Sequence, residues 1–298
     1  MWLALAFLSA ALLGLYDAAK KQSLTGNAVL PVLLLNTLIS TLLFAPLLLN
    51  STFDWGWFEG TKFATPVGSI HDHAAVALKA VIVLTSWVFG YFGIKHLPIT
   101  LVGPINATRP VMVLVGAMLF FGERLNGYQW AGVLLSLFSL FLLSRVGRKE
   151  GVHFTHNRWI VCVVLSSVVG ALSGLYDKYL MLTLDPLFVQ SWYNLYQLLI
   201  MTLLVAFLWW PRRAVDRFRW SWAIPLISIF LSAADMAYFW ALSDQEAMIS
   251  IVSMVRRSSV IVSFLCGAVL FRERNLRAKG FDLLLILLGM VLLWLGTR

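Results

Sequence analysis

The chain has 298 residues, of which 60% are hydrophobic and only 12% are charged, and its mean hydropathy is +0.83. A soluble domain of this length must present more polar surface to water, so the composition excludes a soluble globular protein. The net charge of +9 does not indicate nucleic-acid binding, because the basic residues lie in short segments beside apolar runs. We therefore predict an integral membrane protein.

Apolar runs follow one another along the chain with short polar segments between them. A helix needs about 20 apolar residues to cross a hydrocarbon core of about 30 Å. We predict ten transmembrane helices: Trp2–Gln22, Ala28–Asn50, Ala74–Ile94, Ile99–Phe121, Tyr128–Leu143, Trp159–Leu182, Leu187–Trp210, Trp222–Leu242, Ala247–Phe271 and Phe281–Gly296. The first run has no basic n-region, so it is interpreted as a retained helix and not a signal peptide. Cys162 and Cys266 lie inside these spans, where we expect no structural disulfide.

Several phrases occur twice in the same order. ALLGLYD in the first span matches ALSGLYD in the sixth, and GAMLFFGERLNGYQWAGVLL matches GAVLFRERNLRAKGFDLLLI across the last two spans of each half. The repeat units are residues 1–147 and 156–298, with five helices each. Because five is odd, the second copy enters the membrane from the opposite side. The predicted fold is an all-α membrane protein of two inverted five-helix repeats, the usual construction of secondary transporters.

The basic residues predict the orientation. Of the 23 lysines and arginines, fifteen lie in or beside the odd-numbered loops, five lie towards the other side, and three lie inside spans. Positively charged loops stay in the cytoplasm. We therefore expect cytoplasmic odd loops, both termini outside, and a location in the plasma (inner) membrane.

The five-plus-five organisation resembles the drug/metabolite transporter superfamily, in its EamA-like branch of ten-helix carriers. The resemblance also depends on Gly14, Tyr16 and Lys20 of the first span, and on the GER sequence Gly122–Arg124, which returns as Arg272–Arg274 after the ninth span. It covers the whole chain. It implies a transporter that binds its substrate between the two halves, with residues from the fourth and ninth spans.

Ionisable side chains inside the spans are the candidates for a site, because each one costs several kcal/mol unless it is paired or hydrated. Arg109 lies in the fourth span, and Arg256 and Arg257 lie in the ninth. Guanidinium groups match carboxylate and phosphate oxygens, so they predict an anionic or zwitterionic substrate. The predicted substrate-binding residues are Arg109, Arg256, Arg257, Asn106, Thr108, Tyr91, Tyr238 and Trp192. The alternative is a structural ion pair between an arginine and Asp17, Asp177 or Asp235.

The aspartates of the repeated GLYD phrase hold equivalent places in the first and sixth spans. In an inverted repeat they lie towards opposite membrane faces, so they are candidates for a pair of gates that bind and release arginines. A local ion pair, such as Asp17 with Lys20 or Lys21, is an equally good interpretation. Asp235 in the eighth span could carry a coupling proton or compensate an arginine. The predicted gating or coupling residues are Asp17, Lys20, Tyr16, Asp177, Tyr176 and Asp235.

These features predict a secondary carrier that moves a small polar metabolite by alternating access, driven by an exchange substrate or by protons. The sequence has no phosphate loop, no HExxH and no nucleophile elbow, so we expect no ATPase or other enzyme activity, no catalytic residues, no metal and no cofactor. The expected partners are the metabolite and membrane lipid, but no nucleic acid, and the protein would be a monomer or a homodimer. The alternative is a lipid-handling protein, either a flippase or an intramembrane enzyme that acts on anionic headgroups.

Overall fold

The computed structural model describes residues 2–53, 55–58, 60–61, 63, 65–109, 111–112, 126–128, 130–132, 134–135, 138–139, 142, 157–181, 183–242, 255–256, 258–271 and 276–296. These residues form helices joined by short connections. The helices are α1 (Trp2–Leu24), α2 (Val29–Phe53), α3 (Ile70–His96), α4 (Ile99–Ala107), α5 (the helical described residues among 127–142), α6 (Arg158–Met181), α7 (Pro186–Leu204), α8 (Ala223–Leu242), α9 (Ser259–Val269) and α10 (Leu276–Leu295).

Local sequence explains several helix ends. Ser69 and Asp72 form a capping box that starts α3 before its apolar run. Asp185 accepts hydrogen bonds from two backbone N–H groups at the start of α7, and Pro186 occupies the first turn, where its missing N–H costs nothing. At its other end, α7 continues into the π-helical turn Val205–Trp209.

The fold class is the predicted one, an all-α membrane protein with two five-helix repeats. Five described segments are long and apolar enough to cross a membrane: Trp2–Leu24, Val29–Asn50, Ile70–His96, Arg158–Asp177 and Pro186–Arg212. Ala223–Tyr238 and Ser259–Val269 are shorter apolar helices. Helix α10 begins at Leu276, before the predicted start of the tenth span at Phe281, and its first turn includes Arg277 and Lys279, two charged residues that the prediction placed outside the span.

The helices of one repeat pack mainly against helices of the other. Helix α1 packs against α8 and α9, and α6 packs against α3 and α4. Helix α2 contacts α7 and α8, α3 contacts α7, and α4 contacts α9. Exchanging the two halves converts each of these pairs into another observed pair or into itself. This is the packing expected of two repeats related by a pseudo-two-fold axis, with α2, α7, α4 and α9 nearest to the axis.

Glycines allow the closest of these contacts. A methyl group on Gly14 of α1 would overlap Val262 of α9, and one on Gly103 of α4 would lie 2.8 Å from a methyl carbon of Val260. Both contacts join the two repeats. Small residues at helix interfaces let backbones approach and gain van der Waals contact in a lipid environment, where the hydrophobic effect does not drive helix association.

Candidate functional site

Arg109 is positioned by an interruption in the fourth span. Helix α4 ends at Ala107, and Thr108 bonds back onto the last turn, where its Oγ1 donates to the carbonyl oxygen of Ile105 at 2.7 Å. The next residue after Arg109 is Pro110, which disfavours helical backbone before it and offers no N–H. The interruption lies between Pro104, which is inside α4, and Pro110.

The guanidinium of Arg109 reaches across to α6 of the other repeat. Its Nη2 donates to the carbonyl oxygen of Ser166 at 3.4 Å, to Ser166 Oγ at 3.3 Å and to Asn106 Oδ1 at 3.4 Å. A methyl group on Gly170, one turn further along α6, would lie 2.7 Å from Arg109 Cζ and Nη1. Only glycine leaves room for the guanidinium in this position.

In the described part of the chain, the hydrogen-bond partners of Arg109 are all neutral, and the bonds are long. Within the described part of the chain, Arg109 takes part in none of the ion pairs, and its buried Nε has no hydrogen-bond partner. Asn106 Oδ1 is shared, because it also accepts a hydrogen bond from Ser167 Oγ at 2.9 Å. Hydrogen bonds of 3.3 to 3.4 Å are longer than the usual 2.7 to 2.9 Å of charged donors, so these groups compensate the charge only weakly.

Arg256, just before α9, has a carboxylate partner. Its Nη2 bonds to Asp235 Oδ1 of α8, and its Cζ lies 4.2 Å from the centroid of the Tyr238 ring. Both charged side chains are mostly buried. The structure therefore contains the compensating ion pair that the sequence analysis held open for Asp235, with a cation–π contact beside it. Arg257, the third predicted arginine, lies outside the described residues.

The two arginines belong to one electrostatic neighbourhood. Arg109 interacts electrostatically with Asp17, Tyr16 and Arg256, and Tyr16 also interacts with Asp235. Five of the predicted site residues thus come together between the two repeats: Tyr16, Asp17, Arg109, Asp235 and Arg256. The convergence of the fourth and ninth spans was an expectation of the sequence, and α4 packs directly against α9.

Asp17 forms a local ion pair with Lys20, at 2.7 Å on the same face of α1. The ammonium of Lys20 lies 4.3 Å from the ring centroid of Tyr16 and 5.3 Å from that of Tyr91. Both tyrosines are buried. Of the two interpretations of Asp17, the local ion pair is the arrangement seen in this structure.

Asp177, the equivalent aspartate in α6, has a different partner. Its Oδ1 bonds to Lys79 of α3, which is buried and lies 5.2 Å from the ring centroid of Tyr193. This ion pair joins the two repeats. Tyr193 of α7 interacts electrostatically with Asp177, Asp235 and Arg256, so the Lys79–Asp177 pair lies beside the arginine neighbourhood. We call the seven charged residues Asp17, Lys20, Lys79, Arg109, Asp177, Asp235 and Arg256 the central charge cluster.

Two predicted residues lie elsewhere. Trp192 contacts His73 with its ring centroid 4.4 Å away, in an aromatic group with Phe188 and Tyr196. Tyr176 donates to the carbonyl oxygen of Ala75 at 3.1 Å and connects α6 to the start of α3. Neither has a described contact with the two arginines.

Sequence reasoning missed Lys79, Ser166 and Gly170. Lys79 was counted among the basic residues towards the outer side, although it lies well inside the apolar run AAVALKAVIVL. That depth in the run was a usable signal, because a lysine there needs a partner. Ser166 and Gly170 carried no such signal, since small residues are common in membrane helices.

The central charge cluster has four cations and three carboxylates, which leaves a net charge of +1. Each carboxylate has one of Lys20, Lys79 and Arg256 as its partner. The excess charge is that of Arg109. Within the described residues, the site can therefore accept one further negative charge without displacing an existing ion pair.

Comparison with known proteins gives a family match and a structural match. The model of the EamA-like transporter family matches residues 1–145 and 157–295. A solved crystal structure shares 15% identity with this chain at a TM-score of 0.63, and the alignment covers 99% of this chain and 98% of the other. At that identity the likeness concerns the fold alone. The search of curated proteins finds no match.

Proposed function

The chain belongs to the EamA-like transporter family, whose members transport small molecules, and on that premise we propose that it is a secondary carrier of a small organic anion or zwitterion. Arg109 binds the negatively charged group of the substrate. The protein is a multi-pass integral membrane protein, so this residue meets its substrate within the membrane.

The surroundings of the Arg109 guanidinium support an anionic substrate. It is the only one of the four cations in the central charge cluster without a carboxylate partner, and its Nε is buried without any acceptor in the described part of the chain. Leaving a buried charge uncompensated costs several kcal/mol. A carboxylate or phosphate that accepts from Nε and an Nη atom would remove that cost through a bidentate hydrogen bond.

The packing of the two repeats supports alternating access. The contacts of α1 to α4 with α6 to α9 are converted into one another when the halves are exchanged, and this supports two related arrangements around one site. In this proposal, residues 1–147 and 156–298 are the two moving units. The Lys79–Asp177 ion pair ties them together at one end and opens when that end opens.

Asp17 takes the matching place at the other end, where it alternates between Lys20 and Arg109. It already interacts electrostatically with Arg109 while it is bonded to Lys20. The charge bias of the loops supports an orientation with cytoplasmic odd loops and both termini outside, in the plasma (inner) membrane. The test is a reporter protein that is active only in the cytoplasm, fused to the C-terminus. Activity of this fusion would overturn the orientation.

A thermal-shift screen of the purified full-length protein tests the substrate class. Sets of organic carboxylates, organic phosphates and organic cations are compared, and the screen is repeated on Arg109→Gln. A ligand that binds only the folded state raises the melting temperature, and a ligand at 100 times its Kd stabilises by about 2.7 kcal/mol. We expect stabilisation by a group of organic anions and its loss in Arg109→Gln.

Arg158→Gln is the matched control, because Arg158 is an exposed arginine at the start of α6, stacked on Trp159 at 4.4 Å. It should respond to the same anions as the unmodified protein. Stabilisation by cations alone, or equal stabilisation of Arg109→Gln by the anions, would refute the proposed site.

A further inference from the structure

Helix α7 carries three amide side chains on one face. Gln190, Asn194 and Gln197 are spaced four and three residues apart, so they lie within about 60° of one another around the helix axis. Tyr193 lies one helical turn from both Gln190 and Gln197. All three amide residues are at least 98% buried. We call Gln190, Asn194 and Gln197 the amide face.

Four polar atoms of these amide groups lack partners, whereas Gln190 also forms a side-chain hydrogen bond with Tyr193. Neither Oε1 nor Nε2 of Gln197 has a hydrogen bond within the described part of the chain, and the same is true of Asn194 Nδ2 and Gln190 Oε1. A buried amide normally has at least one partner for each polar atom, because an unmade hydrogen bond retains its desolvation cost. Four buried polar atoms without a hydrogen bond, all on one face of one helix, favour a ligand that supplies the missing donors and acceptors.

Helix α2, which packs against α7 near the pseudo-two-fold axis, adds to this set. Asn36 and Ser40 are both buried, they are one helical turn apart, and Asn36 Nδ2 and Ser40 Oγ have no described partner. The Oδ1 of Asn36 accepts a hydrogen bond from Ser228 at 2.9 Å, which leaves Nδ2 as the available donor. Both repeats therefore contribute neutral hydrogen-bonding groups near the axis.

Tyr193 connects the amide face with the central charge cluster. The ammonium of Lys79, a member of that cluster, lies 5.2 Å from the ring centroid of Tyr193, and Tyr193 interacts electrostatically with Asp177, Asp235 and Arg256. The amide face and the charges that surround Arg109 thus border the same region between the repeats. A ligand with its anionic group on Arg109 can extend its body towards α7.

We infer that the amide face binds the uncharged part of the substrate, and that the substrate is a polyhydroxylated organic anion and not an apolar one. An amide offers both a donor and an acceptor, as a hydroxyl group does, so each amide can pair with one or two hydroxyls. A site built with such groups rejects an analogue that lacks hydroxyls, because the amides then stay unpaired. This inference depends on the anion site of the proposed function.

The test uses two acids with the same charge and the same number of carbon atoms, gluconate with hydroxyl groups and hexanoate without them. Apparent affinities come from the concentration dependence of the melting temperature of the purified full-length protein. We expect gluconate to bind at least about ten-fold more tightly than hexanoate. Gln197→Leu should lower the affinity for gluconate by about three- to ten-fold and change the affinity for hexanoate by less than about two-fold.

A second signature separates ligand binding from a structural role. Without ligand, Gln197→Leu should unfold at or above the temperature of the unmodified protein, because leucine leaves no polar atom unpaired. Asn194→Leu repeats the test at a second position. Thr202→Val, on an exposed part of α7 where the hydroxyl bonds only to its own helix, is the control and should bind both acids normally.

The outcomes distinguish the two proposals. Equal affinity for both acids, an unchanged gluconate preference in Gln197→Leu and Asn194→Leu, or destabilisation of both variants without ligand would overturn the amide-face inference. If Arg109→Gln binds neither acid in the same experiment, the anion site at Arg109 is still supported. If neither acid binds the unmodified protein, the amide-face inference is overturned. If Arg109→Gln binds them as before, the proposed function fails and the inference fails with it.

Discussion

Replacing Gly170 with alanine changes the position of Arg109 without changing any polar group. The added methyl group would lie 2.7 Å from Arg109 Cζ and Nη1 and 3.0 Å from Nε. Ordinary van der Waals contact begins near 3.4 Å, so the guanidinium must move away from α6 by about 0.7 Å, the difference between 3.4 and 2.7 Å. The backbone of α6 cannot move instead without disturbing its packing against α3.

That displacement is large compared with the hydrogen bonds it affects. Arg109 Nη2 lies 3.3 Å from Ser166 Oγ and 3.4 Å from the Ser166 carbonyl oxygen, and a shift of about 0.7 Å away from α6 takes both beyond hydrogen-bond distance. A hydrogen bond to a charged group is worth about 1.5 to 3 kcal/mol. If an arginine displaced in this way loses one such bond to its anion, the apparent affinity falls about 10- to 100-fold.

Gly174 supplies the control on the same helix, one turn later. A methyl group there meets nothing within 4 Å. Both substitutions gain about 1 kcal/mol of helix propensity, and in Gly170→Ala this gain offsets part of the lost bonds to Ser166, so both variants should fold. The assay is the melting temperature of each purified variant, titrated with the organic anion that stabilises the unmodified protein most.

Gly170→Ala should bind the anion about 10- to 100-fold more weakly, and Gly174→Ala should bind it normally. Equal binding by both variants would show that the position of Arg109 against α6 does not matter for the ligand. A loss of binding in both would show that flexibility of α6, and not the room for the guanidinium, is what the glycines provide. Either result refutes the reasoning.

Three further predictions concern contacts between helices. Asp235→Asn leaves Arg256 buried without its carboxylate and should lower the unfolding free energy by roughly 3 kcal/mol, whereas removing both charges with apolar residues should restore more than half of it, as measured by thermal unfolding. Exchanging the charges of Lys79 and Asp177 should restore transport that either single reversal abolishes, and failure of the exchanged pair would exclude the gate. Gly14→Ala should lower the melting temperature by several degrees, because its methyl group would also lie 2.9 Å from a backbone carbonyl oxygen of α9; an unchanged melting temperature would mean that α1 and α9 can separate at no cost.

The membrane class and the repeat were predictable because both are properties of the order of residues along the chain. An apolar run of about 20 residues has few alternatives to a membrane helix. The repeated GLYD phrase and the odd number of spans in each half led to inverted repeats without any knowledge of contacts. The interruption before Arg109 was also predictable, because proline acts on the residues directly beside it.

The candidate site was predictable only in part. The sequence placed Arg109, Asp235 and Arg256 inside spans and marked them as costly, but it left the partner of each open. Lys79 was counted with the basic residues of the outer side, although it lies inside the predicted third span. The amide face of α7 was also within reach of the sequence, since Gln190, Asn194 and Gln197 recur with helical spacing.

The sequence by itself determined that this is a membrane protein of two inverted repeats, which part of each span is polar, and where the charges lie along each helix. Only the tertiary structure decided that Asp235 pairs with Arg256, that Asp177 pairs with Lys79, and that Arg109 rests against Ser166 with no carboxylate partner among the described residues. The physical reason is geometric. Successive side chains point about 100° apart around a helix axis, so the partner of a side chain on another helix depends on how the two helices are rotated and packed. Packing also joins residues that are far apart in the chain.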